Sequence, residues 1–245
     1  IMKNDVKVFQ LNDSQLFRFK IYDCNDEIVL FSDFHHIITD GVSQINFFND
    51  VVSIYEGRNI EEEKVDGYTY SLIEKSLESG EKFESAKKFF RDKMGQEIES
   101  TVLTPNLNGN PDEGKIKVIT DNIDSKIIKK FCKDNLISQN ALFMASTILN
   151  LNKFTFNSKT LITTISNGRL NPNYERTQGM LVKTLPIITN NENREITIRE
   201  FIKQVDDTWI DTINNSNYPY TKIAEDYQLK PEFFYAYQES AYSQD

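Results

Sequence analysis

Two histidines and two cysteines are all that this 245-residue chain has of the side chains most used in metal and redox sites. Cys24 and Cys132 lie far apart and match no zinc or disulfide-exchange spacing, so they read as two thiols in a reducing compartment. The histidines, His35 and His36, are adjacent and have no carboxylate or thiol at ligand spacing, so no metal is expected. A run of about eighteen apolar residues, the mark of a membrane-spanning helix, is missing. So is the apolar core of a signal peptide, since the chain opens Ile1-Met2-Lys3-Asn4-Asp5. A cytoplasmic, soluble protein with no membrane partner is the expectation. Positive charge is scarce too. Lys and Arg total 28 against 37 Asp and Glu, giving a net charge of −9 and a pI near 4.9. That balance argues against a general binder of nucleic-acid phosphates. There is no short-period repeat and no low-complexity tract.

What is present is globular. With 39% hydrophobic and 12% aromatic residues, a chain of this length can bury about 70–75% of its unfolded surface, as one large domain or two lobes. Leu16 to Tyr22 alternates like a half-buried strand, Asp23 to Asp26 turns, and Glu27 to Phe34 returns as a more apolar strand. From Ser43 to Tyr55, the residues Ile45, Phe48, Val52 and Tyr55 share one helical face, and Gly57 is a stop. Glu61 to Glu63 reads as a solvated connector. Glu81 to Met94 is amphipathic through Phe83, Phe90 and Met94 and ends at Gly95. The turn-rich stretch from Pro105 to Gly114 is the candidate boundary, with an N-terminal lobe over 1–105 and a C-terminal lobe over 112–245. Beyond it the pattern predicts a strand at Lys115–Thr120, helices capped by Ser125 and Ser138, and a strand at Thr160–Ile165. A turn at Asn167-Gly168-Arg169 precedes a strand at Met180–Ile187, whose Pro186 signals an edge or bulge. A helical stripe follows through Ile198, Phe201, Ile202, Val205, Trp209 and Ile213, then a closing strand at Phe233–Tyr237.

Both histidines therefore fall in one loop, His35-His36-Ile37-Ile38-Thr39-Asp40-Gly41, at the end of a strand and the start of a helix. Histidine is the side chain whose unperturbed pKa, about 6.5, lies nearest neutrality. The loop is thus where proton chemistry is concentrated. Neighbouring residues at a strand end point in opposite directions, so the two rings cannot easily share one task, and His35 reads as structural, packed inward. Asp40 invites a triad reading, orienting an imidazole. Gly41 permits a sharp turn into the helix. Ser43 reads as a helix cap rather than a nucleophile, since no Gly-x-Ser-x-Gly elbow surrounds it.

This loop resembles the His-His-x-x-x-Asp-Gly signature of condensation domains of nonribosomal peptide synthetases, a family sharing its fold group with chloramphenicol acetyltransferase. Three later segments resemble the family's motifs in the same order. They are Asn167-Gly168-Arg169 with Gln178-Gly179-Met180-Leu181-Val182-Lys183-Thr184-Leu185, then Asn217-Tyr218-Pro219-Tyr220, then Pro231-Glu232-Phe233-Phe234 with Gln238. Lys183 stands where the family has Asn, and Leu181 where it has Phe. The resemblance covers nearly the whole chain. It implies an α/β fold of the α+β type, with two chloramphenicol-acetyltransferase-like lobes, each a mixed sheet flanked by helices. The family's earlier motifs have no counterpart here and its final elements are lacking, so the domain is expected to be incomplete.

The resemblance also implies peptide-bond formation between two thioesters, each on the phosphopantetheine arm of a carrier protein, with no tightly bound cofactor. Upstream and downstream carriers and an adjacent adenylation domain are the implied partners. His36, Asp40 and Gly41 become the catalytic set, with His36 as general base or as a group that holds the amine. Asp40 gains a second possible role, a buried ion pair with an arginine that shapes the loop, for which Arg18 on the neighbouring strand is one candidate and the family's earlier segment, without counterpart here, the other source. His35 and Arg18 are site-shaping, and Asn167, Gly168 and Arg169 are candidates to line the substrate tunnel between the lobes. Three alternatives stay open. An epimerase of this fold tends to place Trp shortly after Asp-Gly, where this chain has Gln44. A coenzyme A-dependent acyltransferase needs only His-x-x-x-Asp, present at His36 and Asp40. A condensation-like docking module needs no chemistry. For carrier docking, Lys87, Lys88 and Arg91, or Lys126, Lys129, Lys130 and Lys133, are the basic clusters available.

Overall fold

The computed structural model describes residues 5–12, 15–95, 100–103, 114, 116–121, 123–192, 195–230 and 233–238. Packing divides the chain into two compact units, Ile1–Leu77 with Asn167–Val182, and Glu78–Ser166 with Lys183–Asp245. The expected boundary stretch at 105–114 lies, apart from Gly114, outside the described residues. The units instead change over between Leu77 and Glu78, because the helix that follows gives its apolar face to the core of the second unit.

The first unit opens with a hairpin of β1 (Phe17–Asp23) and β2 (Ile28–Phe34), paired antiparallel with Phe17 opposite Phe34 and Arg18 opposite Asp33. Asn25, at φ 69°, supplies the left-handed turn residue. A single 3-10 turn at His36–Ile38 leads into α1 (Gly41–Tyr55), which Asp40 caps. The helix matches the expected span, but its apolar stripe is not covered: Ile45, Phe48, Val52 and Tyr55 are all exposed. What α1 buries is Ser43. Helix α2 (Gly67–Ser76) is capped by Asp66 and buries Tyr70.

The second unit begins with α3 (Glu81–Met94), whose Phe83, Ala86, Phe90 and Met94 are buried at helical spacing. Helix α4 (Ser125–Asn135) is capped by Asp124, one residue before the serine expected to do so. Ser138 caps α5 (Gln139–Thr155) through a hydrogen bond from the Ala141 N–H at 3.0 Å. The sheet has the order β4-β3-β5, with β3 (Lys159–Ser166) antiparallel to β4 (Lys183–Asn190) and parallel to the two-residue β5 (Phe234–Tyr235). Pro186 is tolerated inside β4 because its cross-strand partner, Thr163, turns its own N–H the other way, to the Phe233 carbonyl at 2.9 Å. Helices α6 (Ile198–Asn214), with a full capping box at Thr197 and Glu200, and α7 (Tyr220–Asp226) complete the unit.

Two apolar cores result. One joins α5 and α6 across Ile162 and Ile187, with Trp209 packed against it. The other joins α3 to Leu161, Tyr218, Ile223 and Leu229.

Two expected strands are corrected. Residues 116–120 carry no regular structure, and Ile116, Val118 and Ile119 are exposed, since no strand of the β4-β3-β5 sheet takes them as a neighbour. The strand expected from Met180 begins only at Lys183. Residues Met180 to Val182 are held instead by the first unit, in the manner described next.

Candidate functional site

The first unit is organised around one carboxylate. Asp40 caps α1, its Oδ1 accepting from the Ser43 N–H at 2.9 Å, and it is completely buried. Arg169 meets it in a two-pronged contact, Nη1 to Oδ2 at 2.8 Å and Nη2 to Oδ1 at 3.0 Å. Oδ2 accepts a further bond from the Leu181 N–H at 3.0 Å. Four donors thus fill both oxygens. Burial alone would push the Asp40 carboxyl up, but the hydrogen bonds from Arg169, Ser43 and Leu181 outweigh it and hold its pKa below the ordinary carboxylate value.

Ser43 extends the cluster. Its hydroxyl accepts from Arg169 Nη2 at 2.9 Å and from the Gly179 N–H at 3.0 Å, and donates to the Gly179 carbonyl at 2.9 Å. Arg169 Nη2 also reaches the Thr177 carbonyl at 3.0 Å. The segment 167–182 is therefore stitched to the start of α1 by polar contacts that are all buried or nearly so. Further ties run along it: Asn46 Nδ2 donates to the Glu175 carbonyl at 2.9 Å, Arg176 pairs with Asp50, and the Gln178 N–H donates to Glu63 at 3.0 Å.

Glycine is required at two approaches in this unit. Gly168 has φ +71°, and a Cβ there would stand 1.8 Å from the Leu181 carbonyl oxygen; one on Gly67 would stand 2.3 Å from that of Gln178. Gly41 is different, with nothing within 4 Å of where a Cβ would lie and no left-handed φ.

The histidines flank this network without joining it. The His35 N–H donates to the Leu16 carbonyl at 2.8 Å, and its Nδ1 accepts from the Ile37 N–H at 3.1 Å. Its half-buried ring meets Phe9 edge-on, with centroids 5.9 Å apart. His36, the next residue, is exposed and opens the 3-10 turn. The loop between β2 and α1 is thus pinned at both ends, by the His35 cap and by Asp40, and presents one imidazole outward.

Several expected roles are corrected. Arg18 does not partner Asp40. It lies directly across the hairpin from Asp33 and pairs with it at 2.9 Å, with its guanidinium 3.7 Å from the Phe9 ring centroid. Arg169 is the partner instead, so it is a buried anchor rather than a lining residue. Gly168 likewise serves close backbone approach. Asn167 is exposed and folds its Oδ1 onto the Arg169 N–H at 3.0 Å, which shapes the turn delivering Arg169. Asp40 has no acceptor capacity left to orient an imidazole, so the triad reading fails on valence. Ser43 is not the cap; Asp40 is.

The Ser43 hydroxyl and the backbone of Thr177, Gly179 and Leu181 are members that sequence reasoning missed. A buried serine in the first turn of a helix leaves no sequence signal of the segment it holds. Among the described residues, no group of three or more His, Cys, Asp and Glu side chains is placed to hold a metal ion, and no helix is long and apolar enough to cross a membrane.

Comparison with known proteins follows this geometry. A family model described as Condensation domain matches residues 1–234. The chain is similar to bacitracin synthase 1 of Bacillus licheniformis, 24% identical over 241 residues, or 94% of this chain and 4% of that protein. It is also similar to surfactin synthase subunit 1 of Bacillus subtilis (strain 168), 25% identical over 230 residues, or 90% of this chain and 6% of that one. Among solved structures, the first condensation domain of the CDA synthetase superposes with a TM-score of 0.69 at 13% identity, covering 92% of this chain and 52% of that one. The chain thus spans about half of that solved domain and a small fraction of the synthetases it matches.

Proposed function

The chain belongs to the condensation-domain family, and on that premise we propose that it forms peptide bonds between aminoacyl or peptidyl thioesters tethered to carrier proteins during nonribosomal peptide synthesis. The observation that carries this reading is the loop itself. An exposed imidazole at position 36 is set on a loop that the buried Asp40–Arg169 pair anchors at its end.

The chemistry asks little more of the protein. The downstream amine attacks the upstream thioester carbonyl, a C–N bond forms, the C–S bond breaks, and the thiol of the upstream phosphopantetheine leaves. One proton must depart from the attacking nitrogen. His36 accepts that proton or holds the amine in line as the tetrahedral intermediate forms, a role general bases fill with an advantage of about 10²–10⁴-fold. Asp40 and Arg169 are positioning residues that act through the loop. His35 fixes the turn through its Nδ1, and Gly41 leaves open space beside the first turn of α1. Phosphopantetheine arrives as part of the substrates, and upstream and downstream carriers with an adjacent adenylation domain are the partners.

The test is reconstitution. Two differently loaded carrier domains are supplied to the intact parent protein, and products are read by mass spectrometry and chiral analysis. An amide joining the two acyl groups is the expected result. Cα inversion without joining, transfer from soluble coenzyme A with no carrier requirement, or carrier binding without turnover would each overturn the reading.

A further inference from the structure

The turn that delivers Arg169 to Asp40 is built on an Asn-Gly pair. Asn167 is exposed, Gly168 follows it at φ +71°, and a Cβ on Gly168 would stand 1.8 Å from the Leu181 carbonyl oxygen. A side chain at 168 is excluded, so the fold fixes the glycine. Asn-Gly is also a dipeptide in which the chain readily attacks its own side-chain amide, because glycine puts no Cβ beside the attacking peptide nitrogen. Asn108-Gly109, the other such pair in the sequence, lies outside the described residues.

Two hydrogen bonds prime that attack at Asn167. Its Oδ1 accepts from the Arg169 N–H at 3.0 Å, the geometry of an Asx turn, which folds the amide carbon back over the intervening peptide nitrogen. The same oxygen turns negative when that nitrogen adds to the amide carbon, and a fixed N–H donor stabilises the charge. The second bond acts on the nucleophile. Arg169 Nη1 donates to the Asn167 main-chain carbonyl at 3.1 Å. Peptide resonance couples that carbonyl to the Gly168 nitrogen, so a guanidinium on its oxygen makes the Gly168 N–H more acidic. Arg169 thus polarises both reacting groups.

We propose that Asn167 deamidates spontaneously through a succinimide, and that the isoaspartate formed draws Arg169 away from Asp40. The Gly168 nitrogen bonds to Asn167 Cγ, the Cγ–Nδ2 bond breaks, and Nδ2 leaves as ammonia with the proton lost by Gly168. Water then opens the ring. Opening at the former main-chain carbonyl gives isoaspartate: the chain runs through Cγ, one carbon longer, and that carbonyl becomes a free carboxylate. It is the group that Arg169 Nη1 already holds. A carboxylate there competes with Asp40 for the guanidinium, and the lengthened turn no longer presents Arg169 in register. The hold of segment 167–182 on α1 therefore loosens as the protein ages. The proposal is independent of the condensation reading.

The experiment ages the intact parent protein at physiological temperature and pH, one portion folded and one unfolded in urea. Peptide mapping by mass spectrometry follows Asn167, isoaspartyl methyltransferase labelling separates isoaspartate from aspartate, and Asn108 is the internal reference. Conversion at Asn167 is expected to be faster in the folded portion, since only there do both Arg169 contacts exist. Hydrogen exchange on the same aged protein is expected to show the Ser43, Gly179 and Leu181 amides losing protection in proportion to isoaspartate at 167. Asn167→Ser keeps a turn-forming hydroxyl and cannot form the imide. Once its melting curve verifies that it folds, it is expected to retain that protection over the same period. Slower conversion in the folded portion than in the unfolded one overturns the proposal. So does isoaspartate at 167 with the three amides still protected, or equal loss of protection in aged Asn167→Ser.

Discussion

The two units of this chain are held by opposite kinds of interior. In the second, the buried side chains form two hydrocarbon cores in which Phe90, Met144, Ile148, Ile162, Ile187 and Val205 are essentially inaccessible. In the first, the buried apolar side chains among the described residues are Tyr70 and Leu181, and the rest of the interior is Asp5, Thr39, Asp40, Ser43, Arg169 and Thr177. Hydrocarbon packing stabilises without direction, and its cost of disruption grows with the area exposed. A buried ion pair stabilises little against a well-packed apolar alternative, yet is costly to break one side at a time. The first unit therefore draws specificity from its interior more than stability: the pair fixes where segment 167–182 sits on α1 and, through the cap, where the His36 loop begins.

That contrast can be broken by mutation. The largest effect is expected from Asp40→Ala or Arg169→Met, each leaving a lone buried charge at a cost of about 3–5 kcal/mol. Phe90→Ala should cost about the same, 3–5 kcal/mol, through a cavity. Residue-resolved hydrogen exchange separates them. The charge variants should deprotect the amides of Ser43, Gly179 and Leu181, and the cavity variant those of β3 and α3. Equal deprotection of both units by Arg169→Met would break the comparison.

Acid should produce a milder version. The folded carboxyl of Asp40 titrates below its unfolded value, so its contribution is fully present above about pH 4 and is lost as pH falls through the lower folded pKa. The first unit should therefore loosen before the hydrocarbon cores of the second, as exchange measured from neutral pH down to pH ~3 would show.

Glycine substitutions sharpen the contrast on a smaller scale. Gly168→Ala forces a left-handed alanine against the Leu181 carbonyl and should cost at least about 1–2 kcal/mol in urea unfolding. Gly41→Ala meets open space and should leave the melting temperature unchanged or slightly raised, by helix propensity of at most about 1 kcal/mol. Lost turnover in a stable Gly41→Ala protein would mean that substrate occupies that space.

Several elements with a local cause were legible, although α2, capped by Asp66, was not. The hairpin announced itself by alternation and a turn, α3 by Phe83, Phe90 and Met94 before Gly95, and α5 by the Ser138 cap. The loop carrying His36 was placed correctly between strand and helix for the same reason. The partner of Asp40 was not, because Arg169 lies 129 residues away and Arg18 is simply the arginine that the neighbouring strand offers. Arg18 was already claimed by Asp33 across the hairpin, a pairing that register would have revealed. Residues 116–120 alternate like a strand and remain irregular, since alternation specifies a face but supplies no neighbour to bond with.

Division of labour within the loop is tested most directly by His36→Ala in the intact parent protein, with carrier-to-carrier amide formation and thermal unfolding measured on the same preparation. Turnover should fall by about 10²-fold or more while the unfolding curve coincides with that of the native protein, because the ring is exposed and takes no part in the buried network. Undiminished amide formation by the folded variant would contradict the account.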